Sequence, residues 1–364
     1  MKPRILIILE AGEAIPSGVV RGTIYRDYFI KNGFEIKYVS RIFPPLAGLL
    51  MTPPRWLQPL MAAGLWQVLR FVSVWISRLT EAYIIQQAKH YDIIYTSKVL
   101  RFEFFEKLRR HTKARLVLDF GDAVWLPHLG ARRLVETFQL VDAVTTDNEH
   151  TAAYVRQFNR NCTAIPDCPQ VELFDRQRAH WKNSPGKEKI ILGWIGTPSS
   201  AFNLYKVWEA LERLFTRYDN LHLRLVGTGL KGNLPYFEKV KYSCRPYYDQ
   251  AAMIEEVLAM DIGLFPMFDV EASRVRGVLK ATVYMAGEAV AVCSPVGQSA
   301  ELIQDGVNGL LAASTEEWVE KLEMLITNPP YRRRLAQTAL EMVRQDFSIA
   351  RSFEKLVSVL SPTS

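Results

Sequence analysis

The residues best suited to chemistry lie between Arg276 and Ala312, where a short apolar run is followed by a glycine turn and a new helix. The run Val290–Cys293 has the composition of a strand buried in a parallel sheet, and Gly297 ends the turn that follows it. Glu301 falls in the first turn of the next predicted helix, where backbone N–H groups and the helix dipole attract anions. This order predicts a phosphate site, and the alternative for Gly297 is an ordinary loop glycine.

The same segment resembles the donor-binding region of family 4 glycosyltransferases, which are retaining enzymes of GT-B fold, in the variant R-G-K-x-x-x-K-x-x-x-Y-M-A-x-G-x-P-V-V-A-S-P-V-G. Aligned on Lys280 and on Tyr-Met-Ala at 284–286, it places Arg274 at the family's arginine and Arg276 at its first lysine. The resemblance implies that Arg276 and Lys280 lie against the donor diphosphate, where positive charge stabilises the departing anion. Arg274 is a further donor-binding candidate. A solvated helix face is the alternative for Lys280, and surface charge for the two arginines.

The chain departs from the wider family at its paired glutamates, whose positions are held by Val275 and Val283. A carboxylate accepts hydrogen bonds from sugar or ribose hydroxyls, whereas valine cannot. The variant motif does not require these glutamates, so two hypotheses stay open. One is an active transferase, and the other is a transferase-like protein that has lost catalysis and binds a partner enzyme, a glycan or a membrane. A third is a GT-B sugar-nucleotide epimerase, for which no carboxylate and histidine set can be assigned.

Other candidates follow predicted strands, where ligands bind in α/β sheets. Gly18 lies in a glycine-containing loop after the predicted strand Arg4–Glu10, a loop that family 4 enzymes also carry. It is a donor-binding candidate, and a plain turn is its alternative. Gly196 and Thr197 follow the first strand of the second half and are candidates for backbone contacts with the donor. Asp122 lies in a segment that resembles D-x-D-D-A-x-W, and it would either orient an acceptor hydroxyl as a catalytic residue or cap a helix.

Strands and helices alternate along both halves of the chain, which predicts doubly wound α/β domains. Apolar runs predict strands at 35–39, 92–96, 115–119, 143–146, 162–165, 190–195, 221–226, 262–266 and 290–293. The resemblance implies a GT-B architecture of two Rossmann-like domains facing a cleft. A polar, turn-forming linker at 183–189 divides an N-terminal acceptor-side domain, 1–183, from a nucleotide-sugar-binding domain, 184–346. The last helix, 347–364, is expected to pack back on the first domain.

Composition excludes several classes of protein. A chain of 364 residues with 49% hydrophobic residues is expected to fold into two globular domains. Its four cysteines have no C-x-x-C spacing, so neither a zinc site nor a disulfide framework is indicated. The formal charge of +7 favours anionic partners, yet no nucleic-acid-binding motif is present. The first residues turn polar too soon for a signal peptide, which predicts a cytoplasmic protein.

The segment 43–88 is unusual because aromatic residues and arginines alternate within an apolar run. Trp56, Trp66, Phe71 and Trp75 are interspersed with arginines, which is typical of a helix that lies in a membrane interface. Gln67, Arg70 and several prolines argue against a spanning helix. The alternative is an ordinary core helix with a few exposed aromatic residues.

These features together predict a glycosyltransferase of the hexosyltransferase type that acts at the inner face of the membrane, in envelope or surface polysaccharide synthesis. Its donor substrate would be a nucleotide sugar and its acceptor a glycan or a lipid-linked sugar. We expect no cofactor, no metal site and no nucleic acid partner. Retention of anomeric configuration is implied by the resemblance alone.

Overall fold

Regularly spaced apolar runs form two six-stranded parallel sheets in the computed structural model of this protein. The structure describes residues 2–14, 16–51, 57–121, 124–126, 133–181, 189–228, 239–245 and 249–361. The chain divides into two units. Unit 1 contains Met1–Asp167 and Ile349–Ser364, and unit 2 contains Cys168–Ser348. Of the predicted linker at 183–189, only Lys189 lies within the described residues.

Unit 1 is a doubly wound sheet in the order β2-β1-β3-β4-β5-β6. Its strands are β1 Arg4–Leu9, β2 Glu35–Ser40, β3 Ile93–Ser97, β4 Arg115–Phe120, β5 Ala143–Thr146 and β6 Cys162–Ala164. Its helices are α1 Pro16–Val20, α2 Arg26–Lys31, α3 Pro44–Met51, α4 Gln58–Leu60, α5 Trp66–Ala88, α6 Phe102–His111, α7 Leu134–Leu140 and α8 Glu149–Arg156, with 3-10 turns at Gly12–Ala14 and Thr23–Tyr25 and a π turn at Met61–Leu65. The central strands are buried on both faces, which explains their continuous apolar runs.

Unit 2 repeats this plan in the order β12-β11-β10-β7-β8-β9. Its strands are β7 Ile190–Ile195, β8 Leu221–Val226, β9 Tyr242–Arg245, β10 Ile262–Phe265, β11 Val290–Cys293 and β12 Leu310–Leu311. Its helices are α9 Val171–Trp181, α10 Trp208–Arg217, α11 Gln250–Leu258, α12 Glu271–Arg274, α13 Leu279–Ala286, α14 Gln298–Leu302, α15 Thr315–Thr327 and α16 Pro329–Asp346, with a 3-10 helix at Pro198–Lys206. The predicted α/β class with two doubly wound sheets is confirmed.

The last helix, α17 Ile349–Leu360, belongs to unit 1 although it follows unit 2 in the chain. Its Phe353 packs edge-on against Phe29, with ring centroids 4.9 Å apart, and also contacts the rings of Tyr28 and Phe34. The guanidinium of Arg115 donates a hydrogen bond to the carbonyl of Val359 over 3.2 Å. These contacts attach the C-terminus of the chain to the first sheet.

Strand order fixes where each sheet can bind a ligand. In unit 2 the chain leaves β7 towards β8 on one side and leaves β10 towards β11 on the other, and β7 and β10 are neighbours that pair at Leu192 and Ile262. Loops that leave two such strands in opposite directions open a crevice at their carboxyl ends. In unit 1 the equivalent switch lies between β1 and β3. The residues after β7, β10, β1 and β3 are therefore the ones to examine.

Candidate functional site

Lys280 lies at the switch point of unit 2, on the first turn of α13. Its Nζ donates a hydrogen bond to Ser200 Oγ over 3.1 Å and lies 4.9 Å from the ring centroid of Trp194, the penultimate residue of β7. The side chain is half-buried, so it does not extend from a solvated helix face. The site thus places an ammonium group over an indole ring at the carboxyl end of β7.

The environment of Lys280 disfavours its charge. Burial, together with the nearby positive charge of Arg276, lowers the pKa of the Lys280 ammonium to about 7. An anion at this position would reverse the effect, because an opposite charge within a few ångströms favours the protonated form. Near neutral pH the Lys280 amine can therefore take up a proton when it binds an anionic ligand.

Gly196 and Thr197 form the backbone beside the Lys280 ammonium. A Cβ at position 196 would overlap the Trp194 ring and lie 2.8 Å from Lys280 Nζ, so only glycine fits there. Thr197 caps the following 3-10 helix in a reciprocal arrangement with Ser200, whose hydroxyl also donates to the Thr197 carbonyl over 3.0 Å. Ser200 thereby joins the end of β7 to Lys280.

Arg274 is the last residue of α12 and Arg276 follows in the segment before α13; both are exposed. Arg274 forms a two-pronged ion pair with Asp269, with Nε–Oδ1 and Nη2–Oδ2 distances of 2.6 and 3.1 Å. Asp269 follows β10, so this pair lies on the same carboxyl side of the sheet as Lys280. An exposed pair of this kind costs little to break, and Arg274 is able to exchange its carboxylate partner for a ligand phosphate.

Gly297 brings the turn after β11 against Arg274. Its φ of +54° favours glycine, and a Cβ there would overlap the backbone carbonyl of Arg274. Ser299 fills the inside of the turn, since its Oγ donates to the carbonyl of Ser294 over 2.6 Å. Glu301 is exposed on the five-residue α14 and borders a cavity of about 320 Å³ that Gln298 and Asn308 also line.

The two valines at the family's glutamate positions differ in environment. Val283 is 5% exposed and packs in the apolar core of unit 2, whereas Val275 is partly exposed between α12 and α13. Polar contacts to a ligand are therefore unavailable at position 283, because the side chain there faces other apolar groups. Val275 lies between Arg274 and Arg276 in the chain.

In unit 1 the carboxyl end of the sheet is held by a buried ionic network around Asp119. Arg21 bonds both carboxylate oxygens of Asp119, the carbonyl of Ile165 at 2.8 Å and Asp167 at 2.7 Å. Asp119 also accepts from Thr145 Oγ1 over 2.7 Å. Ion pairs of this depth are stable only when every partner is satisfied, so the network fixes the loops after β1, β4 and β6.

Gly18 and Asp122 are the sequence-predicted candidates in unit 1. A Cβ on Gly18 would overlap the carbonyl of Gly12, so this glycine allows the loop after β1 to pack on itself. Asp122 lies outside the described residues. Within the ranges that the structure describes, no group of three or more histidine, cysteine, aspartate or glutamate side chains is arranged to hold a metal ion.

Sequence reasoning missed the side chains that support Lys280. Trp194 reads as a core residue, and Ser200 reads only as a helix cap. Asn203 links the two loops of the switch point, because its Oδ1 accepts from the backbone N–H of Phe268 over 3.3 Å. The rings of Phe202 and Phe268 stack in parallel, 6.1 Å apart, and Phe202 is exposed. Trp194 lies within a predicted strand, and the other residues only follow predicted strands, so no motif marked any of them.

Comparison with known proteins identifies what these units resemble. Residues 189–328 match the family model described as glycosyl transferases group 1. No curated protein sequence matches the chain. Similar solved structures include HepE from Anabaena in complex with UDP, with 14% identity over 98% of this chain and 99% of that one, at a TM-score of 0.66.

Two further structures have the same architecture over their full lengths. A glycosyltransferase from Rickettsia africae is 13% identical over 99% of this chain and 98% of that one, with a TM-score of 0.66. Sucrose-phosphate synthase from Thermosynechococcus elongatus is 15% identical over 98% of each chain, with a TM-score of 0.65. At these identities the likeness shows the fold. The resemblance inferred from the motif is confirmed: the chain has the fold of these GT-B structures, and its residues 189–328 are similar to the group 1 glycosyltransferases.

Proposed function

We propose that this protein transfers a sugar from a nucleotide-sugar donor to a glycan or a lipid-linked acceptor, and that Lys280 is the catalytic cation. The observation that carries the proposal is the half-buried Lys280 ammonium over Trp194, at the switch point of the unit that matches the transferase model. Sugar transfer leaves a nucleoside diphosphate with added negative charge. A fixed cation in a partly desolvated site stabilises that charge more than water does.

The remaining donor contacts are assigned by position. Arg274 and Arg276 would add charge beside Lys280 at the diphosphate, while Gly196 and Thr197 would offer backbone N–H groups. Gly297 keeps the turn after β11 close to Arg274, and Glu301 is retained as a donor-side candidate from the sequence. Gly18 is retained as a donor-binding candidate, and Asp122 as a catalytic candidate that would orient an acceptor hydroxyl. No protein nucleophile is part of this proposal, since positioning and charge supply the catalysis.

A uridine nucleotide is the first donor to test, because HepE was solved with UDP and also with UDP-glucose. We further propose a hexosyl donor, retention of configuration and a role in envelope or surface polysaccharide synthesis at the inner face of the membrane. Retention and the hexosyl donor follow the motif resemblance. The cellular role follows the aromatic and basic composition of segment 43–88.

The test is donor turnover with radiolabelled nucleotide sugars, measured as hydrolysis in buffer and as transfer to membrane extracts. We expect wild-type protein to release nucleoside diphosphate, and Lys280→Ala to lose about 100-fold or more in turnover while it keeps its melting temperature. Lys355→Ala, an exposed lysine on α17, is the matched control and should match wild type. Folded wild-type protein with neither hydrolysis nor transfer would contradict the proposal.

Val275 and Val283 favour a second candidate function, a transferase-like binding protein that has lost catalysis. Position 283 lies in the core, so no carboxylate can be restored there without disturbing the unit. This candidate predicts that nucleoside diphosphates leave the melting temperature unchanged. A clear stabilisation by one of them, together with donor hydrolysis, would exclude it.

A further inference from the structure

Helix α5 carries a continuous apolar stripe on its solvent side. The α5 stripe consists of Val68, Phe71, Val72, Trp75, Leu79 and Tyr83. These side chains are between 38% and 73% exposed, and Phe71 is the most exposed. The rest of the helix is anchored, because Ser73, Ser77 and Ile84 on its other side are buried.

The spacing of the stripe shows that it is one surface. Its members recur every three or four residues, so at about 100° per residue they share a face opposite the buried one. From Val68 to Tyr83 the surface runs about 22 Å along the helix, at about 1.5 Å per residue. A contiguous exposed apolar surface of this length marks an interaction site.

Charge along α5 selects the partner. Its only acidic residue, Glu81, is buried and forms ion pairs with Arg41 at 2.9 Å and Arg101 at 2.8 Å. The basic residues Arg70 and Arg78 are exposed, and the Arg70 guanidinium lies 5.2 Å from the Trp66 ring centroid. The accessible charge on this helix is therefore entirely positive. A face of aromatic and aliphatic residues bordered by the cation Arg78 suits an anionic lipid surface.

We propose that the α5 stripe lies in the interface of an anionic phospholipid bilayer, with the helix parallel to the membrane plane. None of the helices in the described ranges is long and apolar enough to cross a membrane, which agrees with a surface position. The helix would insert Phe71, Trp75 and Leu79 to the level of the acyl chains and keep Arg78, which borders Phe71 on the helix surface, among the headgroups. The proposal deepens the proposed function, because it places unit 1 where a lipid-linked acceptor resides.

A second copy of the chain fits the stripe less well. In a two-fold symmetric pair of α5 helices, the same residues would face each other, and Arg78 near the centre of the stripe would approach its own copy. No exposed carboxylate on α5 is available to neutralise that approach. Like charges brought together at an interface oppose association. Anionic headgroups would instead neutralise Arg78.

The experiment is flotation of the full-length protein with phosphatidylcholine vesicles, with and without phosphatidylglycerol. We expect binding to the mixed vesicles that falls with added salt. The double variant Trp75→Glu with Leu79→Glu should bind about tenfold or more weakly. Met324→Glu, an exposed apolar residue on α15, is the matched control and should bind like wild type. Arg78→Glu should reduce binding to mixed vesicles about fivefold and leave phosphatidylcholine binding unchanged.

Two outcomes would overturn the proposal: wild-type protein that does not float with mixed vesicles, or stripe variants that float as well as wild type. A concentration-dependent dimer that Trp75→Glu with Leu79→Glu abolishes, without vesicle binding, would assign the stripe to a second copy instead. Should the double variant not fold, the single change Phe71→Glu replaces it. Donor hydrolysis without vesicles should be equal in wild type and stripe variants. Donor hydrolysis thus reports on the transferase proposal, and flotation reports on the membrane proposal.

Discussion

Lys280 is the residue whose titration should govern ligand binding. Its pKa of about 7 in the free protein arises from burial and from the charge of Arg276. A bound diphosphate would raise that pKa, so the complex holds more protons than the free protein at pH 7 to 9. By linkage, affinity then falls as pH rises through this window.

Calorimetry at several pH values checks this dependence. We expect the affinity for the best nucleoside diphosphate to fall between about pH 7 and 9, and the heat of binding at pH 8 to depend on the ionisation enthalpy of the buffer. Lys280→Arg should remove most of the pH dependence, because a guanidinium stays charged throughout. Affinity that is constant over this range in the wild type would contradict the assigned role.

Glu288 is a second residue with a testable conformation. Its φ is +62°, in the left-handed region, at the position where the family motif has glycine. A residue with a Cβ costs about 1 kcal/mol there relative to glycine. Its ion pair with Arg178, at 3.0 Å, offsets part of that cost.

We therefore expect Glu288→Gly to be more stable than Glu288→Ala by about 1 kcal/mol, because both lose the ion pair and only glycine relieves the backbone. Urea unfolding of the two variants measures the difference. Equal stability, or a more stable alanine variant, would show that the backbone at this position is unstrained.

At the scale of elements, α13 joins the site to the core. Lys280 on its first turn reaches the switch point, while Val283 one turn later packs among apolar side chains. Val283→Glu should lower the free energy of unfolding by about 3 kcal/mol or more, because it buries a carboxylate with no partner. Val275→Glu, at a partly exposed position, should cost less than about 1 kcal/mol. Thermal unfolding of the pair distinguishes a core role from a ligand-facing one; similar losses would contradict this placement.

The sequence predicted the buried strands well because their apolar runs are continuous. Each of those strands ends within one residue of its predicted position. The strands β9 and β12 were missed, since β9 is exposed along its length at the sheet edge and β12 has two residues. The site was predicted only where a motif exists. Lys280 came from the motif, whereas Trp194 and Phe268 gave no signal because tertiary packing alone brings them to it.

At the scale of the whole molecule, two units of one plan carry different chemistry. Unit 2 presents cations at its switch point, whereas the equivalent edge of unit 1 is held by the buried Arg21–Asp119 pair. The formal charge of +7 suits both a diphosphate ligand and an anionic surface. We propose that unit 1 binds the acceptor and that unit 2 binds the donor.

The most direct test of the central claim is titration calorimetry of UDP and other nucleoside diphosphates with wild-type protein, Lys280→Ala and the control Lys355→Ala. We predict that one nucleotide binds the wild type and the control alike, and binds Lys280→Ala about tenfold or more weakly, with unchanged melting temperatures. Equal affinity in Lys280→Ala, or no binding by folded wild-type protein, would contradict the assignment of the donor site to this switch point.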